Sequence, residues 1–199
     1  MRPSDMSSRV RRPLRVAFLV ASLAALPCPA SATVHMTQEE ALKTAFPGQV
    51  AAHRTAFLTE AEAAAVASDC GSDLPARIVN WYEAGGRTAW FDTHLVRTLA
   101  ETIMIVVGQD GRVERIDILS FDEPDEYRPP QAFLAQLKGR RLDDELSLRR
   151  GVRPITGASL SGRAVVDATR RVLALHRRLV LAPAQKKDGT PEGGKEKKP

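Results

Sequence analysis

The spacing of apolar and polar positions predicts both helices and strands along the chain. Two Thr-x-x-Glu sequences, starting at Thr37 and Thr59, each precede a short apolar face and are typical of helix capping boxes. Further on, residues 163–181 place apolar side chains three and four positions apart, which is a helix period. Predicted strands occupy residues 50–58, 77–83, 88–93, 101–108 and 112–121.

Turn signals join several of these predicted strands. Residues 84–87 contain a Gly-Gly pair and residues 109–111 contain an Asp-Gly pair, both of which favour tight hairpins. Another helix is predicted over residues 130–137, which begin with Pro and are followed by Gly139. Together these elements predict a single α+β domain, an antiparallel sheet of at least four strands with helices packed on one face.

Composition divides the chain into three segments. Residues 1–32 combine a basic start, an apolar run too short to span a bilayer, and a small-x-small site at Ala30-Ser31-Ala32, as a secretory signal peptide does. Residues 33–185 hold the predicted domain. Residues 186–199 contain no large apolar side chain and are predicted to be disordered. We therefore expect an exported protein, in the periplasm or at the outer face of the inner membrane.

The net charge of +5 does not indicate a nucleic-acid partner. Residues 1–32 contribute +4 and residues 186–199 contribute +2, which leaves −1 for residues 33–185. A basic face on the folded part is what nucleic-acid binding requires, and a near-neutral domain gives it no support.

A stretch of small and hydroxyl residues, Thr156-Gly157-Ala158-Ser159-Leu160-Ser161, leads into the long predicted helix. Gly157 permits a positive φ, and the first turn of a helix offers unpaired N–H groups and a positive dipole end that suit a phosphate. On the residues alone, the alternative is that Ser159 or Ser161 is an ordinary N-cap, and the capping preferences favour that interpretation.

The same stretch resembles the Ser/Thr-Gly-Ala-Thr/Ser-x-Ser/Thr motif of the FMN-binding domain family. That family includes the covalently flavinylated subunits of sodium-pumping quinone reductases and related membrane electron-transfer complexes. Residues 40–48, 91–94 and 101–121 are similar to the small exported members, so the resemblance extends over about residues 36–181.

The resemblance implies an FMN phosphate esterified to Ser159 by a separate flavin transferase after export. Gly157 and Ala158 would let the phosphate lie against the backbone, and Thr156 and Ser161 would hydrogen-bond its oxygens. It also implies membrane electron-transfer proteins as partners.

The chain differs from the family pattern at two positions. Ser159 stands where the family often has Thr, and a serine oxygen can form the same phosphoester. Arg153 stands where the family often has Asp, and its guanidinium would pair with a phosphate, which suits FMN held without a covalent bond. Arg149 and Arg150 add two cations just ahead of the motif; they would neutralise a phosphate or simply face solvent.

Aromatic residues cluster on the first predicted hairpin. Trp81, Tyr82, Trp90 and Phe91 would offer a flat apolar surface to an isoalloxazine ring, or would form the core of a chain with few aromatics. The core interpretation is the one we favour. His94 lies beside them and would hydrogen-bond flavin or substrate, or serve as a satisfied structural histidine.

Two further features have a structural and a chemical interpretation. The acidic residues between 122 and 126 lack the spacing of a cation loop, so a solvated acidic loop is favoured over a metal site. Cys70 is the only cysteine left once the signal peptide is removed, and its neighbours Gly71 and Ser72 favour a loop residue over a redox thiol.

The first hypothesis is therefore an exported flavoprotein that carries electrons with FMN on Ser159. The sequence has no catalytic-triad pattern and no Gly-rich nucleotide loop, so an electron carrier is favoured over an enzyme in its own right. The alternative is a non-catalytic domain that binds FMN reversibly, or binds no flavin, and acts as a sensor or scaffold for a membrane partner.

Overall fold

The computed structural model describes residues 33–184; the predicted signal peptide and the predicted charged tail lie outside this range. The strands are β1 Thr33–Val34, β2 Ala52–Phe57, β3 Ile78–Ala84, β4 Arg87–Leu95, β5 Ala100–Val107 and β6 Val113–Phe121. The helices are α1 Gln38–Ala45, α2 Glu60–Cys70, α3 Gln131–Leu134 and α4 Ser159–His176. Short 3₁₀ turns cover Asp125–Tyr127 and Ala135–Leu137, and a π-helical turn, Arg177–Leu181, continues α4.

The strands form one antiparallel sheet in the order β1-β6-β5-β4-β3-β2. The α+β class and the antiparallel sheet are therefore confirmed, and β2 is an edge strand as predicted.

The first hairpin is tighter than predicted. Ala84 and Arg87 pair with each other, and only Gly85 and Gly86 form the turn, with φ of 55° and 73°. Positive φ at both turn positions matches the twist of the strands and favours glycine there.

Helices pack on both faces of the sheet, so the prediction of helices on one face was wrong. α2, α3 and α4 cover the face that carries Trp90, Ile103 and Ile105. α1 packs on the opposite face against Met104 and Leu119. The reason lies in the pattern of β5, whose successive apolar residues bury both of its faces and so require cover on each side.

The helix starts follow the sequence signals closely. Thr37 and Thr59 both make complete capping boxes, with Glu40 and Glu62 as the reciprocal partners. Cys70 departs from its predicted loop position. It is the last residue of α2, only 3% exposed, and its thiol donates a hydrogen bond to the Ser72 carbonyl at 3.1 Å.

The sheet is split along part of one strand boundary. β3 and β4 pair only from Trp81–Trp90 to Ala84–Arg87, whereas β3 pairs with β2 along its length from Ile78 to Glu83. Residues 78–80 and 91–93 therefore diverge, and they line a cleft of about 480 Å³ that α4 closes with Arg171 and Leu175.

The second core beneath α1 generates a stability prediction. Phe46 is 1% exposed and lies under the Arg87 guanidinium, 5.3 Å from its ring centroid, whereas Phe57 on edge strand β2 is 75% exposed. Phe46→Ala should lower the free energy of unfolding by about 3–5 kcal/mol, and Phe57→Ala, as the matched control, by less than about 1 kcal/mol. Urea unfolding followed by circular dichroism measures both; equal losses would contradict a core on this face.

Candidate functional site

The Thr156–Ser161 motif begins α4, but its serines do not cap the helix. Ala158 is the N-cap residue, with no side-chain cap hydrogen bond, and the Ser159 hydroxyl donates instead to the Ile155 carbonyl at 3.2 Å. The N-cap interpretation of Ser159 or Ser161 was therefore wrong. Gly162 makes the first backbone bond, to the Ala158 carbonyl. The first-turn N–H groups of α4 are thus left for solvent or an anion.

Gly157 gives this turn its shape. Its φ is +85°, a conformation that side chains with a Cβ rarely adopt, and open space surrounds the position where a Cβ would lie. The requirement for glycine is therefore conformational rather than steric.

A cavity of about 180 Å³ lies against this helix start, and we call it the α4 cavity. Arg97, from the turn after β4, extends its guanidinium over the ring of Tyr127, with 5.2 Å between its Cζ and the ring centroid. The cavity thus joins a cation, an aromatic ring and the start of a helix. Its lining residues are Arg97, Tyr127, Gly157, Ala158, Ser159, Leu160 and Ser161.

The turn that carries Arg97 is held by an acidic residue. Glu123 accepts hydrogen bonds from the backbone N–H groups of Thr98 at 2.8 Å and Leu99 at 3.0 Å, and these bonds lower the pKa of its carboxyl. Glu123 is buried, so the prediction of a fully solvated acidic loop was wrong at this residue. Its carboxylate replaces the missing backbone partners of the turn and thereby positions one wall of the α4 cavity.

The other predicted phosphate ligands lie elsewhere. Thr156 is exposed and does not line the α4 cavity, whereas Ser161 does and is buried. Arg153 exchanges two backbone hydrogen bonds with the Gln136 side chain and lines a different cavity. Arg149 and Arg150 line a third cavity, beside α2. Closeness in sequence to Ser159 thus does not bring these three cations to it.

His94 belongs to a buried network of charges beneath α4. Its Nδ1 lies 2.9 Å from Asp92 and its Nε2 lies 3.0 Å from the carboxylate of Glu101, while Asp92 also forms a two-point ion pair with Arg171 at 2.8 and 2.9 Å. Both ring nitrogens are engaged, so His94 has no free hydrogen-bonding group to offer a ligand. Among the described residues, the Oε1 atom of Glu101 is buried without a partner.

Burial and neighbouring charges shift the pKa values of this network in opposite directions. Burial alone would lower the pKa of His94, but its hydrogen bonds to Asp92 and Glu101 outweigh burial and raise the pKa to about 9. Burial alone would raise the pKa of Asp92, but His94 and Arg171 hold it at about 2. The imidazolium therefore donates to both carboxylates at neutral pH.

The aromatic cluster divides between the two faces of the sheet. Trp81 and Trp90 stack at 5.2 Å and are buried in the core, which confirms the core interpretation for these two. Tyr82 and Phe91 lie on the opposite face in an edge-on contact at 5.8 Å. None of the four lines the α4 cavity.

His176 makes a second buried polar contact with the sheet. Its Nδ1 lies 2.9 Å from the Thr88 hydroxyl, which also accepts the Trp90 indole N–H at 2.8 Å. Burial lowers the pKa of His176 to about 4, so the ring is neutral at pH 7. The two histidines thus stabilise the fold in opposite protonation states.

The sequence did not point to Arg97 and Tyr127 as lining residues of the α4 cavity, to Glu123 as the anchor of the turn that carries Arg97, or to Arg171 as the partner of Asp92. The one available signal was the Asp92-x-His94 spacing, which puts both side chains on one strand face. The other contacts come from pairing across the sheet and from residues on α4, and no local sequence pattern predicts them.

The raised pKa of His94 predicts a loss of stability at alkaline pH. The folded-state pKa of about 9 exceeds the ordinary value of 6.5, so the protonated ring stabilises the fold fully below about pH 6.5. This contribution disappears as pH rises towards 9, which lowers the free energy of unfolding by up to about 3.5 kcal/mol, given about 1.4 kcal/mol per pKa unit. Urea unfolding from pH 6 to 9.5 should show the fall, and His94→Gln should abolish it. An unchanged fall in the variant would show that His94 is not its source.

The lowered pKa of His176 predicts the opposite behaviour on the acid side. The neutral ring stabilises the fold above about pH 6.5, and this stability is lost as pH falls through about 4. His176→Gln should reduce the acid loss between pH 6.5 and 4.5, whereas His53→Gln, on the exposed face of edge strand β2, should not. Equal pH dependence in both variants would contradict the assignment.

Comparisons of this chain with protein-family models, curated proteins and solved structures find no match. Within residues 33–184, no helix has the length and apolar character needed to cross a bilayer. The same residues contain no cluster of His, Cys, Asp and Glu suited to a metal ion.

Proposed function

We propose that the chain is an exported electron-carrying flavoprotein that holds FMN at the α4 cavity, with the FMN phosphate esterified to Ser159. The observation that carries this proposal is the placement of the Ser159 hydroxyl. It lies in the first turn of a helix without a side-chain cap, and it lines the same cavity as the Arg97 guanidinium.

The helix start suits a phosphate in both geometry and charge. Unpaired N–H groups and the positive end of the dipole favour an anion there, and no capping side chain competes for them. Gly157 and Ala158 add little bulk, so a phosphate would lie close to the backbone. The Ser159 hydroxyl is exposed and bonds only a carbonyl, so its oxygen is accessible for ester formation.

The opposite wall supplies a cation and an aromatic face. Arg97 would pair with a phosphate oxygen, and Tyr127 would contact the flavin or its ribityl chain. Glu123 keeps this wall in place through the backbone of Thr98 and Leu99. Arg97 takes the role that the sequence had suggested for Arg153.

The small size of the α4 cavity favours electron transfer over substrate turnover. Its volume of about 180 Å³ is below the range of about 300–1,000 Å³ of pockets that enclose a whole ligand, so the flavin ring would lie at the surface. FMN, when bound, supplies the redox chemistry, and the protein supplies binding and orientation. An exposed ring beside Leu160, itself 51% exposed, suits exchange of electrons with a docked protein.

The proposal includes two kinds of partner. A separate flavin transferase would esterify Ser159 after export, and membrane electron-transfer proteins would donate and accept the electrons. The alternative function, reversible FMN binding by a sensor or scaffold domain, is favoured by Arg97, whose charge would hold a phosphate without an ester bond.

The intact mass of the mature protein tests the covalent bond. Protein purified from the extracytoplasmic space of a host with a flavin transferase should gain about 438 Da, the mass of FMN less one water. The increment should map to the Ser159 peptide, be lost in Ser159→Ala, and be retained in Ser159→Thr, which keeps the hydroxyl.

A mass increment retained in Ser159→Ala would overturn the assignment of the acceptor. If the chain has its unmodified mass and releases flavin on denaturation and filtration, FMN binding is reversible and no ester bond forms. An unmodified chain that binds no added FMN would overturn both forms of the proposal.

A further inference from the structure

The largest of the described cavities, about 570 Å³, lies on another side of α4, and we call it the arginine cavity. It is bounded by α4, the end of α2 and the loop over residues 143–150. Arg163, Asp167 and Arg170 face it because residues three, four and seven apart share one side of a helix. Its lining residues are Cys70, Gly71, Asp144, Leu146, Ser147, Leu148, Arg149, Arg150, Arg163, Val166, Asp167 and Arg170.

One of its four arginines is fixed in place by the backbone. Arg170 donates through Nε to the Cys70 carbonyl at 2.9 Å, and through Nη1 to the carbonyls of Asp143 at 2.7 Å and Leu146 at 3.2 Å. These acceptors carry no charge, and within residues 33–184 its Nη2 has no hydrogen-bond partner. A guanidinium held this way presents a preorganised donor to the cavity.

The remaining charges leave the arginine cavity electropositive. Arg150 pairs with Asp144 at 3.1 Å, whereas Arg149 and Arg163 form no ion pair with any described residue. Asp167 lies between turns that carry arginines, and burial raises the pKa of its carboxyl. Four cations against two carboxylates leave a surplus of two positive charges.

The arginine cavity is separate from the α4 cavity. The two share no lining residue, and the loop that supplies Arg149 and Arg150 is anchored independently by the fully buried Leu146. Asp143 fixes the same loop by accepting the N–H groups of Glu145 at 3.0 Å and Leu146 at 3.1 Å.

We propose that the arginine cavity binds a small oxyanion with at least two negative charges, of the diphosphate class. Guanidinium groups bind phosphate oxygens in a planar, two-point geometry, and Arg149, Arg163 and Arg170 converge on one space with donors to spare. A diphosphate carries enough negative charge to neutralise the surplus of two positive charges. This site is independent of flavin binding.

Isothermal titration of the full mature chain with inorganic pyrophosphate at 0.15 M salt tests the proposal. We expect saturable binding of one ion per chain. Arg149→Gln/Arg163→Gln should weaken binding about 100-fold, because each substitution removes a charge-assisted hydrogen bond worth about a factor of ten. Both side chains are exposed, so the fold should survive, and circular dichroism without ligand checks this.

The matched control is Arg54→Gln/Arg112→Gln, which removes two exposed arginines that do not line the cavity. It should leave the affinity for pyrophosphate unchanged. Equal weakening in both double variants, or the absence of saturable binding in the parent chain, would overturn the proposal. If a polyglutamate peptide binds and pyrophosphate does not, the arginine cavity is a protein-docking surface and not a small-ion site, which also overturns the proposal.

Discussion

The ion pair between Arg171 and Asp92 determines where α4 lies on the sheet. Its two parallel hydrogen bonds, at 2.8 and 2.9 Å, define the distance and the rotation of the helix relative to β4. His94 and Glu101 extend the pair into a network of two cations and two carboxylates with no net charge. Removing one charged member of such a network leaves another buried charge unpaired. This lowers the free energy of unfolding by about 3–5 kcal/mol.

Both candidate sites depend on that placement. The α4 cavity lies at the start of the helix and the arginine cavity lies along its middle, so a change of register would separate each helix residue from its partners on the loops. Hydrophobic burial holds α4 on the sheet, and the two-point ion pair adds a directional constraint that apolar contacts lack. The loops fixed by Glu123 and Asp143 complete the two cavities.

The sequence was a good guide to what local chemistry controls. The capping boxes at Thr37 and Thr59 and the glycines of the first hairpin appear where their patterns predicted them. The start of α4 shows the limit of that guidance. Ser159 has the right chemistry for an N-cap, yet Ala158 takes that position and the Ser159 hydroxyl donates to the Ile155 carbonyl instead.

The candidate sites were only partly predictable. The Gly157–Ser161 segment is contiguous and does line one cavity, whereas its cation, Arg97, comes from a turn that packing and Glu123 bring alongside it. Arg153 is nearer to Ser159 in sequence but lines a different cavity, because the Gln136 side chain holds its backbone there. Separation along the chain predicts contacts within a helix or a hairpin, whereas no local sequence pattern predicts contacts between loops.

The divergence of β3 from β4 gives the molecule an internal boundary. The ladder from β4 to β6 is continuous, whereas β2 and β3 join it through the hairpin end alone, from Trp81 to Ala84. α2, by contrast, packs on α4 through the buried residues Val66 and Cys70, and Arg170 donates to the Cys70 carbonyl at 2.9 Å. Separating β2 and β3 from β4 therefore breaks fewer backbone hydrogen bonds than separating β4 from β5 or β5 from β6, and the amide hydrogens of β2 and β3 would exchange before those of the continuous ladder.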